Sequence, residues 1–149
     1  MSELDIRPIS AAETRPLRHR VLRPHQPVES LVYDGDDAPD TLHVGGFLPD
    51  GTLVAVASVY RESRPEDGVR RGFRLRGMAV DPSHQGRGYG ARLVEACGAH
   101  ARSLGGKELW CNARTSASGF YTRQGFDTEG PPFEIEGIGP HFEMRQYLG

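Results

Sequence analysis

The alternation of apolar and polar positions divides the chain into short strands and three helical stretches. Leu4-Asp5-Ile6-Arg7-Pro8-Ile9 alternates with period two and predicts a first strand. Ser10 and Glu13 stand at capping-box spacing, but a helix begun there would enclose Pro16, which has no backbone donor. Thr14 as N-cap puts Pro16 in the tolerant first turn. A helix is therefore expected from Thr14, carrying Leu17 and Val21 inward and stopping before Pro24. Residues 24–41 read as a long connection with one short helical turn. Its acidic run, Asp34 to Asp40, lacks the spacing of a calcium loop and is expected in solvent.

Strands at 42–48 and 53–61 follow, joined by the turn Pro49-Asp50-Gly51-Thr52. Arg64-Pro65-Glu66-Asp67-Gly68 connects to a fourth strand, Phe73–Val80. Leu93, Val94, Cys97, Ala101 and Leu104 recur at helical spacing and predict a helix from Gly88 to Leu104, closed by Gly105-Gly106. Lys107–Asn112 reads as a fifth strand, Ser116–Gln124 as a short helix capped by Gly125, and Phe142–Leu148 as a final strand. This order predicts a mixed α/β layer in a single domain spanning residues 1–149.

Composition narrows the function classes. The chain has 149 residues, 37% hydrophobic, and a net charge of −2, so a packed core is expected and the basic footprint of a nucleic-acid binder is missing. No apolar run is long enough to span a bilayer, and the acidic N-terminus has no apolar core of an export signal. Cys97 and Cys111 form no metal or redox pattern, and His19, His25, His84 and His100 have no ligand spacing, so no metal is expected. A cytoplasmic protein with no membrane or nucleic-acid partner is the resulting expectation; a homodimer is left open. Lys107 is the lone lysine among 18 basic residues, which puts the weight on arginine, the better fork for carboxylates and phosphates.

The most informative segment is Val80-Asp81-Pro82-Ser83-His84-Gln85-Gly86-Arg87-Gly88-Tyr89-Gly90, between a strand and a helix. Alternate glycines let the backbone turn tightly and bring successive N–H groups toward a ligand, and the following helix adds its unpaired donors and positive dipole end. The spacing is neither the dinucleotide GxGxxG nor a P-loop.

This segment resembles motif A of the GNAT superfamily of acyl-CoA-dependent N-acyltransferases, whose core reads Gln/Arg-x-x-Gly-x-Gly/Ala. A second motif of that family resembles Ala117-Ser118-Gly119-Phe120-Tyr121-Thr122-Arg123-Gln124-Gly125-Phe126, and the element order matches from residue 4 to 148. The resemblance implies a mixed, mostly antiparallel central sheet flanked by helices, with parallel strands four and five splayed apart. It implies acetyl-CoA as acyl donor and an amine as acceptor. The backbone of Met78, Ala79 and Val80 would pair with pantetheine, the amides of Gln85, Gly86, Arg87, Gly88, Tyr89 and Gly90 would hold the pyrophosphate, and Tyr121 would be the general acid. Cys111, with no partner at a catalytic spacing, reads as a core residue.

Two departures from the family stand out. Where many relatives carry a strand-four Glu that relays the amine proton, this chain has Arg74 and Arg76, which cannot act as bases. Period two places both on the face of Met78 and Val80, toward the cleft. Arg114 stands where the family often has Asn, leaving Asn112 as the nearby candidate for that cofactor contact. His141 is the first candidate base because histidine titrates near neutrality; a water chain and Glu62 remain alternatives, and His43 reads as a satisfied sheet residue. With Arg18 and Arg23 also expected on the acceptor side, Arg74, Arg76 and Arg23 predict a small, anionic, amino-acid-like acceptor rather than a polyamine. The alternative is that these arginines pair with acids of the Asp34–Asp40 run or face solvent. The expected activity is direct transfer of an acetyl group to a primary amine in a ternary complex. The competing readings are an acyl-CoA sensor without turnover and, with poorer fit, a nucleotide-binding module.

Overall fold

The structure is a computed structural model that describes residues 4–65 and 71–149. The expected turn residues Glu66, Asp67 and Gly68 lie outside the described residues. Seven strands form one sheet: β1 (Asp5–Pro8), β2 (Leu42–Phe47), β3 (Leu53–Arg61), β4 (Gly72–Val80), β5 (Glu108–Arg114), β6 (Asp127–Ile135) and β7 (Gly139–Tyr147). Their spatial order is β1-β2-β3-β4-β5-β7-β6. Every neighbouring pair is antiparallel except β4–β5, which is parallel.

The helices α1 (Ala11–Leu22) and α2 (Tyr89–Ser103) cover opposite faces, and α3 (Ser118–Arg123) is a short helix after β5. Leu93, Val94, Cys97 and Ala101 of α2 pack with Val59, Phe73, Leu75 and Leu109 in the larger core. Leu17 of α1 packs with Val56 and Ala79 in a smaller one. Leu104, expected on the core face of α2, lies just past its end and is exposed.

The first helix begins earlier than the proline suggests. Ser10 is the N-cap: its Oγ accepts from the Glu13 amide at 3.1 Å, and its own amide donates to Glu13 Oε1 at 2.8 Å. Two donors satisfied at the cap outweigh the one bond that Pro16 removes, and the carbonyl so orphaned belongs to Ala12, which is open to water. Thr14 lies inside the helix, buried, with its hydroxyl donating to the Ala11 carbonyl at 2.6 Å.

The sheet also has a strand that alternation did not reveal. β6 carries Gly130-Pro131-Pro132 and is exposed along most of its length. Proline is tolerated there because β6 is an edge strand and the run falls in a register shift between Glu129 and Phe133. The acidic connection departs from expectation as well. Asp36 is buried, accepting from Tyr60 Oη at 2.6 Å, the Tyr33 amide at 3.0 Å and Arg15 Nη2 at 3.2 Å. The expected helical turn in this connection is present at Val28–Leu31.

Candidate active site

β4 and β5 pair only at Gly72–Glu108, Phe73–Leu109 and Arg74–Trp110. Beyond those pairs β4 stays with β3 as far as Val80, while β5 follows β7 to the Arg114–His141 pair. The strands thus part, and their inner edges line a cleft. A bulge shapes the β4 side: between the Val56–Ala79 and Ser58–Arg76 pairs, Ala57 alone faces Gly77 and Met78. Gly77 takes the left-handed φ of +65° that the bulge requires.

The bulge corrects the expected face of the two arginines. Phe73 and Leu75 point into the larger core, yet Ala79, of the same parity, points into the smaller one. Arg74 and Arg76 therefore face away from Met78 and Val80, which pack against the larger core. Arg18 is likewise misplaced by sequence reading. It is wholly buried beneath the bulge, donating from Nε to the Gly77 carbonyl at 2.7 Å and from Nη2 to Ser58 Oγ at 2.6 Å, so it does not reach the acceptor side.

Two cavities meet in the cleft. The larger, about 610 Å³, runs along Met78, Ala79 and Val80 to the glycine loop and α3. Gly86 and Gly88 have φ of +79° and +80°, and open space lies where side chains would project. Gly88 is the N-cap of α2 with no side chain closing it, so the first amides of the helix point at that space. Tyr89, the first residue of α2, is buried in the larger core and also lines this cavity. Gln85 is tied back, donating from Nε2 to the Val80 carbonyl at 3.1 Å, and Arg87 is exposed.

The smaller cavity, about 300 Å³, is lined by Arg23, Arg74, Arg76, Arg114, Tyr33 and His141 among others. Asn112 also lines it rather than the glycine-loop cavity. Leu22, Met78, Ala117 and Tyr121 line both. Tyr121 is held edge-on by Phe120 and Phe126, with ring centroids 5.0 and 5.5 Å away. Burial raises its phenol well above the ordinary value, so it stays protonated. Cys111 is pushed up to about 12 by the same cause, which leaves the thiol un-ionised and unsuited to attack.

The bases differ in placement. His141 is buried, and its Nδ1 lies 2.8 Å from the Gly139 carbonyl. A carbonyl only accepts, so Nδ1 carries a proton, and in the neutral ring the lone pair is on Nε2. Glu62 is paired with Arg74 at 3.3 Å and lines neither cavity. His43 is a sheet residue bonded to Ser58 Oγ and the Asp36 carbonyl, as expected. Arg76 sits over the Tyr33 ring, with Cζ 3.8 Å from the ring centroid. Burial and then the nearby Arg114 hold Arg23 below the ordinary arginine value, and burial and then Arg76 do the same to Arg74. Tyr33 has no sequence signal, because it lies in a connection without periodicity.

The profile of the acetyltransferase (GNAT) domain matches residues 43–148, which include the splayed strands and the glycine loop. The chain belongs to the GNAT family. It is 37% identical over 145 residues to YitI of Bacillus subtilis (strain 168), an uncharacterized N-acetyltransferase, covering 97% of each chain. The GNAT fold also superposes on a candidate N-acetyltransferase from Lactobacillus plantarum, with TM-score 0.76, 19% identity and 99% of each chain covered. It matches yncA from Salmonella typhimurium, whose structure holds acetyl-CoA, with TM-score 0.72, 18% identity and coverage of 99% and 95%. The protein is thus a GNAT-type N-acetyltransferase. No helix among the described residues is long and apolar enough to cross a membrane.

Proposed function

We propose that this GNAT enzyme transfers acetyl from acetyl-CoA to the primary amine of a small anionic acceptor, by direct attack in a ternary complex. The observation that carries the reading is Tyr121, whose ring lines both the glycine-loop cavity and the arginine-lined one. The pantetheine arm lies along Met78, Ala79 and Val80, and the amides of Gln85 to Gly90 hold the pyrophosphate, as in the family. The acceptor occupies the smaller cavity with its anionic group on Arg76 and Arg74, and Arg23 beside them.

The amine nitrogen forms its bond to the thioester carbon while a cleft amide stabilises the oxyanion. As the carbon–sulfur bond breaks, Tyr121 gives its phenol proton to the departing sulfur. The amine loses a proton to His141 Nε2 or to water, and CoA leaves as the thiol. The proton taken from nitrogen returns through solvent to the Tyr121 phenolate, so both groups regain their starting states.

Mixing the protein with acetyl-CoA and a set of amines, then titrating free thiol, tests the reading. Thiol release is expected with amino-acid-like amines and not with spermidine. Arg76→Gln should raise KM for an anionic acceptor about tenfold or more. Rapid acetylation of spermidine with anionic amines inert would reject the acceptor assignment.

A further inference from the structure

Leu22 is the last residue of α1, so its carbonyl has no partner within the helix. One guanidinium would cap it. It receives two: Arg23 Nη1 at 3.0 Å and Arg114 Nη2 at 3.1 Å. Two cations therefore converge on one atom at the wall of the smaller cavity. Arg15, Arg64 and Arg74 each have an acid, in Asp36, Glu108 and Glu62, and the buried Arg18 has neutral acceptors for all three of its nitrogens, in the Gly77 carbonyl, Thr14 and Ser58. Among the described residues no carboxylate pairs with Arg23, Arg114 or Arg76. Each guanidinium has five donors, and Leu22 takes one from each of the pair. Such a pair repels itself unless an anion sits between.

Resting on the reading of this cavity as the acceptor site, we propose that Arg23 and Arg114 form a second anion clamp, so that the acceptor is an amine carrying two negative charges, as an aminodicarboxylate or an amino phosphate does. Glu62 offsets Arg74, leaving the charges of Arg23, Arg76 and Arg114 over the cavity. One acceptor charge sits on Arg76 and the other in the clamp. The cationic wall also favours the neutral form of the bound amine, which lessens the need for a strand-four carboxylate.

The full-length enzyme is assayed with aspartate, glutamate and phosphoethanolamine against alanine and 4-aminobutyrate. The doubly charged acceptors should exceed the singly charged ones in kcat/KM by about tenfold or more. Arg114→Asn and Arg23→Gln should each bring that ratio toward one, and Arg114→Lys should restore part of it. In parallel, succinate, inorganic phosphate and acetate are titrated by calorimetry into the CoA-saturated protein and into Arg114→Asn. The relative strengths of succinate and phosphate separate the two ligand types. If no amine is acetylated but a dianion outbinds acetate and loses that advantage in Arg114→Asn, the acceptor chemistry fails and the clamp stands. A ratio near one in the unmodified enzyme overturns the clamp, as does an undiminished ratio in both variants. Absence of both acetylation and dianion binding overturns both.

Discussion

At the scale of single residues, the environment of Tyr121 decides what it can do. Its ring is fixed by two aromatic neighbours, and burial keeps the phenol protonated throughout the working range. Tyr121→Phe preserves that packing and deletes the donor. Turnover is expected to fall by roughly 10²–10⁴-fold, with acetyl-CoA affinity nearly unchanged. Single-turnover kinetics with a calorimetric affinity measures both, and turnover within a factor of about two would make the ring a packing element only. The motif around Tyr121 was legible in sequence because it is contiguous. His141 was nominated only by residue type, and the Gly139 carbonyl that sets its tautomer became visible only in the folded chain.

At the scale of elements, the β4 bulge determines which side chains face which cavity. Alternation along Phe73–Val80 predicted one face for Arg74, Arg76, Met78 and Val80, and it failed at Gly77, where one added residue exchanges the faces. The Arg18 guanidinium fills the space where a Gly77 side chain would lie. Gly77→Ala combines a left-handed backbone with displacement of a buried cation, for an expected stability loss of about 2–4 kcal/mol. Because Met78 to Val80 would shift with the bulge, KM for acetyl-CoA should rise as well. Urea unfolding and acetyl-CoA kinetics on the variant would show both effects. Parental stability would mean that Arg18 does not hold the bulge.

At the scale of the molecule, Asp36 ties the long connection to Arg15 of α1 and Tyr60 of β3, with His43 of β2 bonded to its carbonyl. The connection thereby holds Tyr33, on which Arg76 rests, against the acceptor cavity. Burial alone would raise the Asp36 carboxyl. The hydrogen bonds from Tyr60, the Tyr33 amide and Arg15 together outweigh it and hold the group below 3.8. The unfolded chain then binds the proton more readily. The contribution is present above the unfolded value and is lost as pH falls through the folded one. Asp36→Asn should be less stable than the parent at pH 7, with the gap narrowing below about pH 4. Melting curves from pH 3 to 7 report this; a gap independent of pH would remove the charge from the account.

Sequence by itself determined the order of every element except β6, along with the glycine loop and the aromatic motif, because each is written in residues adjacent along the chain and governed by local turn, period or capping chemistry. It also held the Ser10–Glu13 capping box, which Pro16 obscured until the exposed position of Ala12 removed the objection. Tertiary structure alone decided the placement of β6, whose prolines are admissible only at an edge, and the burial of Asp36, whose partners lie on three separate elements. It decided as well that Arg23 and Arg114, 91 positions apart, meet at one carbonyl. Charge and hydrogen bonding act across space without regard to chain order, so a cluster drawn from the end of a helix and the end of a strand leaves no periodic trace in the sequence.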